Sequence, residues 1–320
     1  PARPSLVGEL DAAVREVEPR IVAIRHHLHR YPELSNREFR TAELIARHLR
    51  ELDIEVRERI AHTGVLGILR GRRPGPVVAV RADMDALPVT EETDLPYRST
   101  ERAIVDGQEV GVMHACGHDV HMAVALGLAT VLAPRRDRLA GTVLFVFQPC
   151  EEGAPAGETG GAWLMLNEGV FDEIRPSAIF GLHTDSEMPV GTVGYTPGPT
   201  NASSDNFRIR LVGRSAHAAW PHLGVDPIVM GAQAVLALQT IRSRTLSPYE
   251  PSVISVTKFH GGVRDNIGPD EVVLEGTVRL FDEAVRDRVE QRFHEILDGI
   301  ARAAGGQYEL EYIRKNPVNV

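Results

Sequence analysis

The feature that most constrains this chain is a set of short, almost wholly apolar runs placed between amphipathic segments. They are Val77–Val80 within PVVAVRADMDALP (76–88), GTVLFVFQP (141–149) and SAIFGLH (177–183). Runs without a polar face suit strands buried on both sides, as in a sheet covered by helices. Helical segments lie between them. Leu6, Leu10, Val14, Val17, Ile21, Ile24 and Leu28 recur at threes and fours, which predicts a helix over 6–31 ending at Tyr31-Pro32. Further helices are predicted over 37–52 and 119–133, a Gly/Ala-rich loop and helix over 153–168, and VLGILR (65–70) reads as a strand before a Gly/Pro turn. Strands alternating with helices predict an α/β domain whose mostly parallel sheet is flanked by helices.

The pattern changes near residue 198, where PGPTNASS has linker composition. Beyond it the periodicity predicts strand 205–212, helix 225–245, strands 252–260 and 270–281, helix 283–304 and strand 307–314. That β-α-β-β-α-β order is a ferredoxin-like α+β unit. The expected domains are 1–197, 198–314, and a short final segment at 315–320. A length of 320 residues, 43% of them hydrophobic and 25% charged, suits two domains with ordinary cores. The net charge of −9 argues against a general nucleic-acid or anionic-membrane binder. Only Lys258 and Lys315 are lysine, so arginine supplies the other basic residues; this reads as composition bias, not a phosphate-binding surface. Two cysteines, Cys116 and Cys150, are too few for a disulfide framework. No run of about 20 apolar residues predicts a membrane span, and PARPSLVGELDAAV has no signal-peptide pattern. The expected location is the cytoplasm.

Chemistry-bearing residues collect where the apolar runs end. MHACGHDVH (113–121) gathers His114, Cys116, His118, Asp119 and His121 where a loop becomes a helix. Thiol and imidazole together suit a transition metal; a polar loop with a buried free cysteine is the alternative. QPCEEG (148–153) places Glu151 and Glu152 after a buried strand, where α/β proteins site ligands. One carboxylate there can bind metal while its neighbour serves as general base; a solvated helix start explains the pair equally well. His183 in GLHTD is a candidate ligand, although a lone histidine at a strand end is more often structural. Asp83 and Asp85 in RADMDALP end another buried strand, an expensive place for charge without a cation or a ligand histidine to face. In this reading four strands end in metal-binding groups on one edge of one sheet, which favours metal-dependent hydrolysis over a structural explanation. In the second domain, GRSAHAAWPHLGVDP (213–227) carries His217 and His222, RDNIGPD carries Asn266 and EGTVRLFD carries Arg279. Asn and Arg suit a substrate carboxylate or oxyanion; turn chemistry and a surface ion pair are the plainer alternatives.

As an ordered set, HHLHRYPELS (26–35), RADMDALP, MHACGHDVH, QPCEEG, GLHTD, GRSAHAAWPH with Asp226-Pro227, and DNIGPD with EGTVR resemble the M20 metallopeptidase superfamily. The similarity is greatest to its amidohydrolase branch, which includes N-acyl-amino-acid amidohydrolases, hippurate hydrolases and auxin-conjugate hydrolases. The resemblance implies a catalytic α/β domain and an inserted ferredoxin-like lid that forms a homodimer. It implies two divalent metal ions (zinc, manganese or cobalt) held by Cys116, His118, Glu152 and His183. Glu151 is then the general base, and His217 polarises the scissile carbonyl. Asn266 contacts the substrate, with Arg279 a further candidate, and Asp83 and Asp85 orient the ligands. The expected reaction is hydrolysis of the amide of a small-molecule N-acyl-amino acid. A dipeptidase or aminopeptidase of the same superfamily, or a non-catalytic binding protein with an incomplete metal site, are the alternatives. Residues 315–320 read as the start of a return to the catalytic domain. Cys150, the loop GAPAGETGG and the segment TDSEMP depart from the usual pattern; Cys150 reads as a buried small side chain, with an extra soft ligand the alternative, and the other two are expected to reshape the pocket.

Overall fold

The computed structural model describes residues 6–319. Residues 1–5, part of the expected first domain and of the segment read for a signal peptide, and Val320, part of the expected return, lie outside the described residues. The chain divides into two compact units, Pro1–Pro189 and Val190–Val320.

In the first unit, α1 (Leu6–Arg30) and α2 (Phe39–Glu51) precede β1 (Glu55–Ile60), β2 (Gly64–Arg70) and β3 (Arg73–Asp83). A hairpin of β4 (Arg102–Val105) and β5 (Gln108–Gly111) leads to α3 (His118–Leu132). Then come β6 (Ala140–Gln148), α4 (Gly161–Asn167) and β7 (Ala178–Gly181). The five-stranded sheet has the order β1-β2-β6-β3-β7. β6, β3 and β7 run parallel, while β1–β2 and β2–β6 are antiparallel, so the sheet is mixed. β2 and β3 follow one another in sequence but do not pair, because β6 lies between them.

Local chemistry explains these elements. The Glu33 carboxylate caps α2 by accepting the backbone N–H groups of Thr41 (2.9 Å) and Arg40 (3.2 Å). Ile45, Ala46 and Leu49 on one face of α2 are fully buried. With Met122, Leu126 and Ala129 of α3 and Phe145 and Phe147 of β6 they form the main core. Of the loop and helix expected over 153–168, the helix occupies 161–167, since the glycine- and proline-rich GAPAGETG cannot sustain one.

The second unit contains β8 (Ser204–Val212), β9 (Ala216–His217), α5 (Pro227–Thr240), β10 (Ser252–Gly261), β11 (Ile267–Gly268), β12 (Glu271–Leu280), α6 (Glu283–Ala304) and β13 (Gln307–Asn316). Its antiparallel sheet has the order β10-β12-β8-β13, and both helices bury their apolar faces against it. Asp226 caps α5 and Asp282 caps α6 through their side chains. α5 ends at Thr240; residues 241–245, expected to continue it, form a π-helical turn. Among the described residues, no helix is long and apolar enough to cross a membrane.

Candidate metal centre

The parallel strands β3, β6 and β7 end on one edge of the sheet, as their register requires: Asp83 pairs with Gln148, and Arg81 with Gly181. The residues just beyond these ends are Asp85, Glu151 with Glu152, and His183. The fourth contribution comes from a helix N-terminus and not, as expected, from a fourth strand. Gly117 (φ 81°) turns the chain into α3 and carries Cys116 and His118 to the same rim.

Cys116 Sγ lies 3.3 Å from His183 Nε2. Cys116, His118 and His183 offer donor atoms within 4.8 Å of one another, and so do His118, Glu151 and Glu152. His118 belongs to both groups. Its Nδ1 sits 2.8 Å from the backbone carbonyl of Asp85, which can only accept a hydrogen bond. Nδ1 therefore carries a proton, which leaves Nε2 to face the rim. That atom is buried without a partner, and so is Glu152 Oε1, 3.7 Å away. Two buried polar atoms left without a hydrogen bond are unfavourable unless a cation comes between them. This donor set of thiol, imidazole and carboxylate fits divalent transition metals.

Asp85 anchors the carboxylate pair. Its Oδ2 accepts the backbone N–H of Glu152 (2.9 Å) and the Ser35 hydroxyl (2.7 Å). Burial works against its charge, but the contacts with His118, Glu152 and Ser35 hold its pKa low. Asp83 is likewise buried, yet its bond to His121 and the charges of Arg81, His118 and His121 lower it to about 2. His118 is pushed down by burial and, more strongly, up by Asp85 and Asp83. Burial raises Glu151, with Asp83 and Glu152 adding to the rise and Arg81 opposing it. Burial and the neighbouring Glu152, Glu151 and Asp83 raise the Cys116 thiol to about 12. The thiolate is thus disfavoured until a cation arrives.

Several alternatives left open by the sequence are settled. Glu151 and Glu152 stand in an irregular turn, not at a helix start, since α4 begins at Gly161. Cys116 is partly exposed at the rim, whereas Cys150 is buried, and both are free thiols. Cys150 has φ 54°, strained for a residue with a side chain. The buried Glu38 carboxylate holds this turn by accepting the Cys150 N–H (2.9 Å). Sequence reasoning gave no role to Glu38 or Ser35, although both lie in or beside the PELSNRE stretch. It also missed a buried network behind α3, in which Asp119 meets His29 (2.9 Å) and Arg25 (2.8 Å) while His29 reaches Glu91 (3.2 Å).

In the second unit, His217 on β9 pairs with Ile267 on β11, and the Asn266 carbonyl accepts the N–H of Ala218 (3.0 Å). His217 and Asn266 therefore stand together. Arg279 is elsewhere in this unit, donating to the Thr277 hydroxyl and the Val278 carbonyl near the far end of β12. The strand from Glu271 to Arg279 separates it from the His217 loop by roughly 26 Å at about 3.3 Å per residue.

An α/β unit with this donor set at its strand ends, followed in the chain by a ferredoxin-like unit, defines a class: the metal-centre hydrolases. Comparison with known proteins specifies it further. Residues 79–320 match the model of "Peptidase family M20/M25/M40". N-acetyl-L-cysteine deacetylase of Bacillus subtilis is 43% identical over 287 residues, covering 90% of this chain and 65% of the relative. An N-acyl-L-amino acid amidohydrolase of Geobacillus stearothermophilus is 41% identical over 304 residues, covering 95% of this chain and 78% of the relative. The crystal structure of the Bacillus subtilis YXEP protein, described as a dinuclear metal binding peptidase from the M20 family, superposes with a TM-score of 0.78 at 38% identity, covering 95% of this chain and 76% of that one. The chain belongs to peptidase family M20/M25/M40 and spans about two thirds to three quarters of the length of these relatives.

Proposed function

We propose that this protein is a metal-dependent amidohydrolase that cleaves the amide bond of N-acyl-amino acids. The observation that carries the reading is the pair of buried atoms without a hydrogen-bond partner, His118 Nε2 and Glu152 Oε1, with Cys116 and His183 alongside. Cys116, His118, Glu152 and His183 would hold two divalent ions, of zinc, manganese or cobalt. Bound there, such ions supply Lewis acidity toward the scissile carbonyl and the attacking water. Asp83 and Asp85 keep the ligand side chains oriented. The curated relatives named as deacetylase and amidohydrolase support the substrate class.

Glu151 is the general base. Burial raises its carboxyl toward the range in which a base can both take and return a proton. In this scheme Glu151 removes a proton from the attacking water as oxygen bonds to the amide carbon. It then passes that proton to the nitrogen of the leaving amino acid as the C–N bond breaks. His217 and Asn266, held together by the β9–β11 ladder, are assigned to the carbonyl oxygen; Arg279, at the far end of β12, stands too far from them to share so small a substrate and is given no role here. Residues 1–197 form the catalytic domain and 198–314 a lid through which the protein dimerises, with 315–320 leading back toward the catalytic domain. A thiol ligand has to stay reduced, which favours the cytoplasm.

The test is release of free amino acid from N-acetyl- and N-benzoyl-amino acids by the metal-supplemented protein. Glu151→Gln should lower kcat by about 10²–10⁴-fold with metal content retained, and a chelator should abolish turnover. Unchanged turnover in the variant overturns the reading. Cleavage of free-amino dipeptides alone would transfer the same chemistry to a dipeptidase.

A further inference from the structure

The donors at the rim include a third histidine. His121 is buried on α3, and its donor atoms lie within 4.8 Å of Asp83 and His118, so proximity alone makes it a candidate ligand. Its hydrogen bonds point elsewhere. His121 Nε2 receives the backbone N–H of Thr184 at 2.9 Å. A backbone N–H can only donate, so Nε2 spends its lone pair on Thr184. Nδ1 therefore carries the proton and donates it to Asp83 Oδ1 at 2.5 Å.

Thr184 is bound on two further sides. Its carbonyl accepts from His183 Nδ1 at 2.7 Å, which fixes the His183 proton on Nδ1 and leaves Nε2 bare toward Cys116. Its hydroxyl donates to the Cys116 carbonyl at 3.1 Å. Gly117 leaves room for this arrangement, because a Cβ there would come within 2.2 Å of Thr184 Oγ1. The two imidazoles share one tautomer but have opposite availability: His183 Nε2 is open to a cation and His121 Nε2 is not.

This matters because His183 has little else to hold it. β7 pairs only with β3, over four residues that are all exposed. We infer that His121 is a positioning residue and not a ligand: through the Thr184 backbone it latches the His183 loop to α3 and so presets the Cys116–His183 pair. The inference rests on the metal-centre reading above and adds to it which histidine stays outside the coordination sphere.

The experiment is nitrogen–proton correlation NMR on protein with ¹⁵N-labelled histidine, chelated and then loaded with zinc. His121 should show a protonated Nδ1 and a bare, hydrogen-bonded Nε2 in both states, while His118 and His183 Nε2 move to metal-bound shifts. A His121 Nε2 that is protonated, or that moves to a metal-bound shift, overturns the latch. If His118 and His183 ignore zinc, the metal-centre reading itself fails and the latch falls with it, a result visible without any variant. Cobalt titration then sizes the effect. His121→Ala should weaken one of two cobalt equivalents by about 10–100-fold and shift the thiolate charge-transfer band. His121→Gln, which keeps an acceptor for Thr184, should restore affinity to within about threefold of the parent. Equal affinity and an unshifted band in His121→Ala overturn the proposal.

Discussion

The two units bury charge in opposite ways. In the second, Asp205 and Arg286 are both buried, and every charged oxygen has a partner: Arg286 Nε donates to both Asp205 oxygens (3.1 and 2.9 Å), and the Tyr312 hydroxyl donates to Oδ2 at 3.2 Å. Asp205 accordingly drives the Arg286 pKa up. In the first unit, Asp85 Oδ1, His118 Nε2 and Glu152 Oε1 are buried together at one rim with no hydrogen-bond partner. A closed ion pair holds a fold together; an open set of donors is unfinished without something from outside.

His118→Ala tests that contrast most severely. It should weaken metal retention by more than the roughly 100-fold expected for loss of an outer-sphere partner. Retention of both metals, measured by elemental analysis after gel filtration, would break the comparison. Arg286→Met should do the reverse. An uncompensated buried Asp205 costs about 3–5 kcal/mol, seen as an earlier urea transition, with metal content unaffected. Replacing both partners by apolar residues should recover most of that loss.

Two smaller effects sharpen the picture. Asp226 accepts the backbone N–H groups of Ile228 (2.9 Å) and Val229 (3.3 Å) at the start of α5. Asp226→Ala should therefore lower stability by about 1 kcal/mol in chemical denaturation without moving the metal-binding isotherm. His48 hydrogen-bonds Thr130 at 2.9 Å, and burial, with Arg20 adding to it, holds its pKa below the usual 6.5. A base with a lowered folded-state pKa contributes stability in full above about pH 6.5, and loses it as pH falls through the lowered value. His48→Gln should flatten the decline in unfolding free energy over that interval; an unchanged slope would remove His48 as its source.

Much of the fold was legible because its signals are local. GTVLFVFQP is apolar throughout and became the central β6, and the caps at Asp226 and Asp282 follow from single residues at helix starts. β1 was missed because EVRERI is a partly exposed edge strand with no apolar alternation to betray it, and the β4–β5 hairpin is similarly polar and exposed. The candidate ligands were readable as residue types, since thiol, imidazole and carboxylate collect near strand ends. His121 and Glu38 were not, because each acts on a backbone N–H, of Thr184 and of Cys150, that no sequence pattern displays. The separation of Arg279 from His217 is also topological, since it comes from the length of β12.

Burial, with the neighbouring carboxylates adding to it, raises the Cys116 thiol to about 12 and so favours the protonated form where no cation is bound. Every ion captured there must therefore expel a proton into solvent. Acidity and metal supply then act on this protein as one variable: a fall in pH and a fall in free metal concentration would drain the same site, and neither can be varied experimentally while the other is ignored.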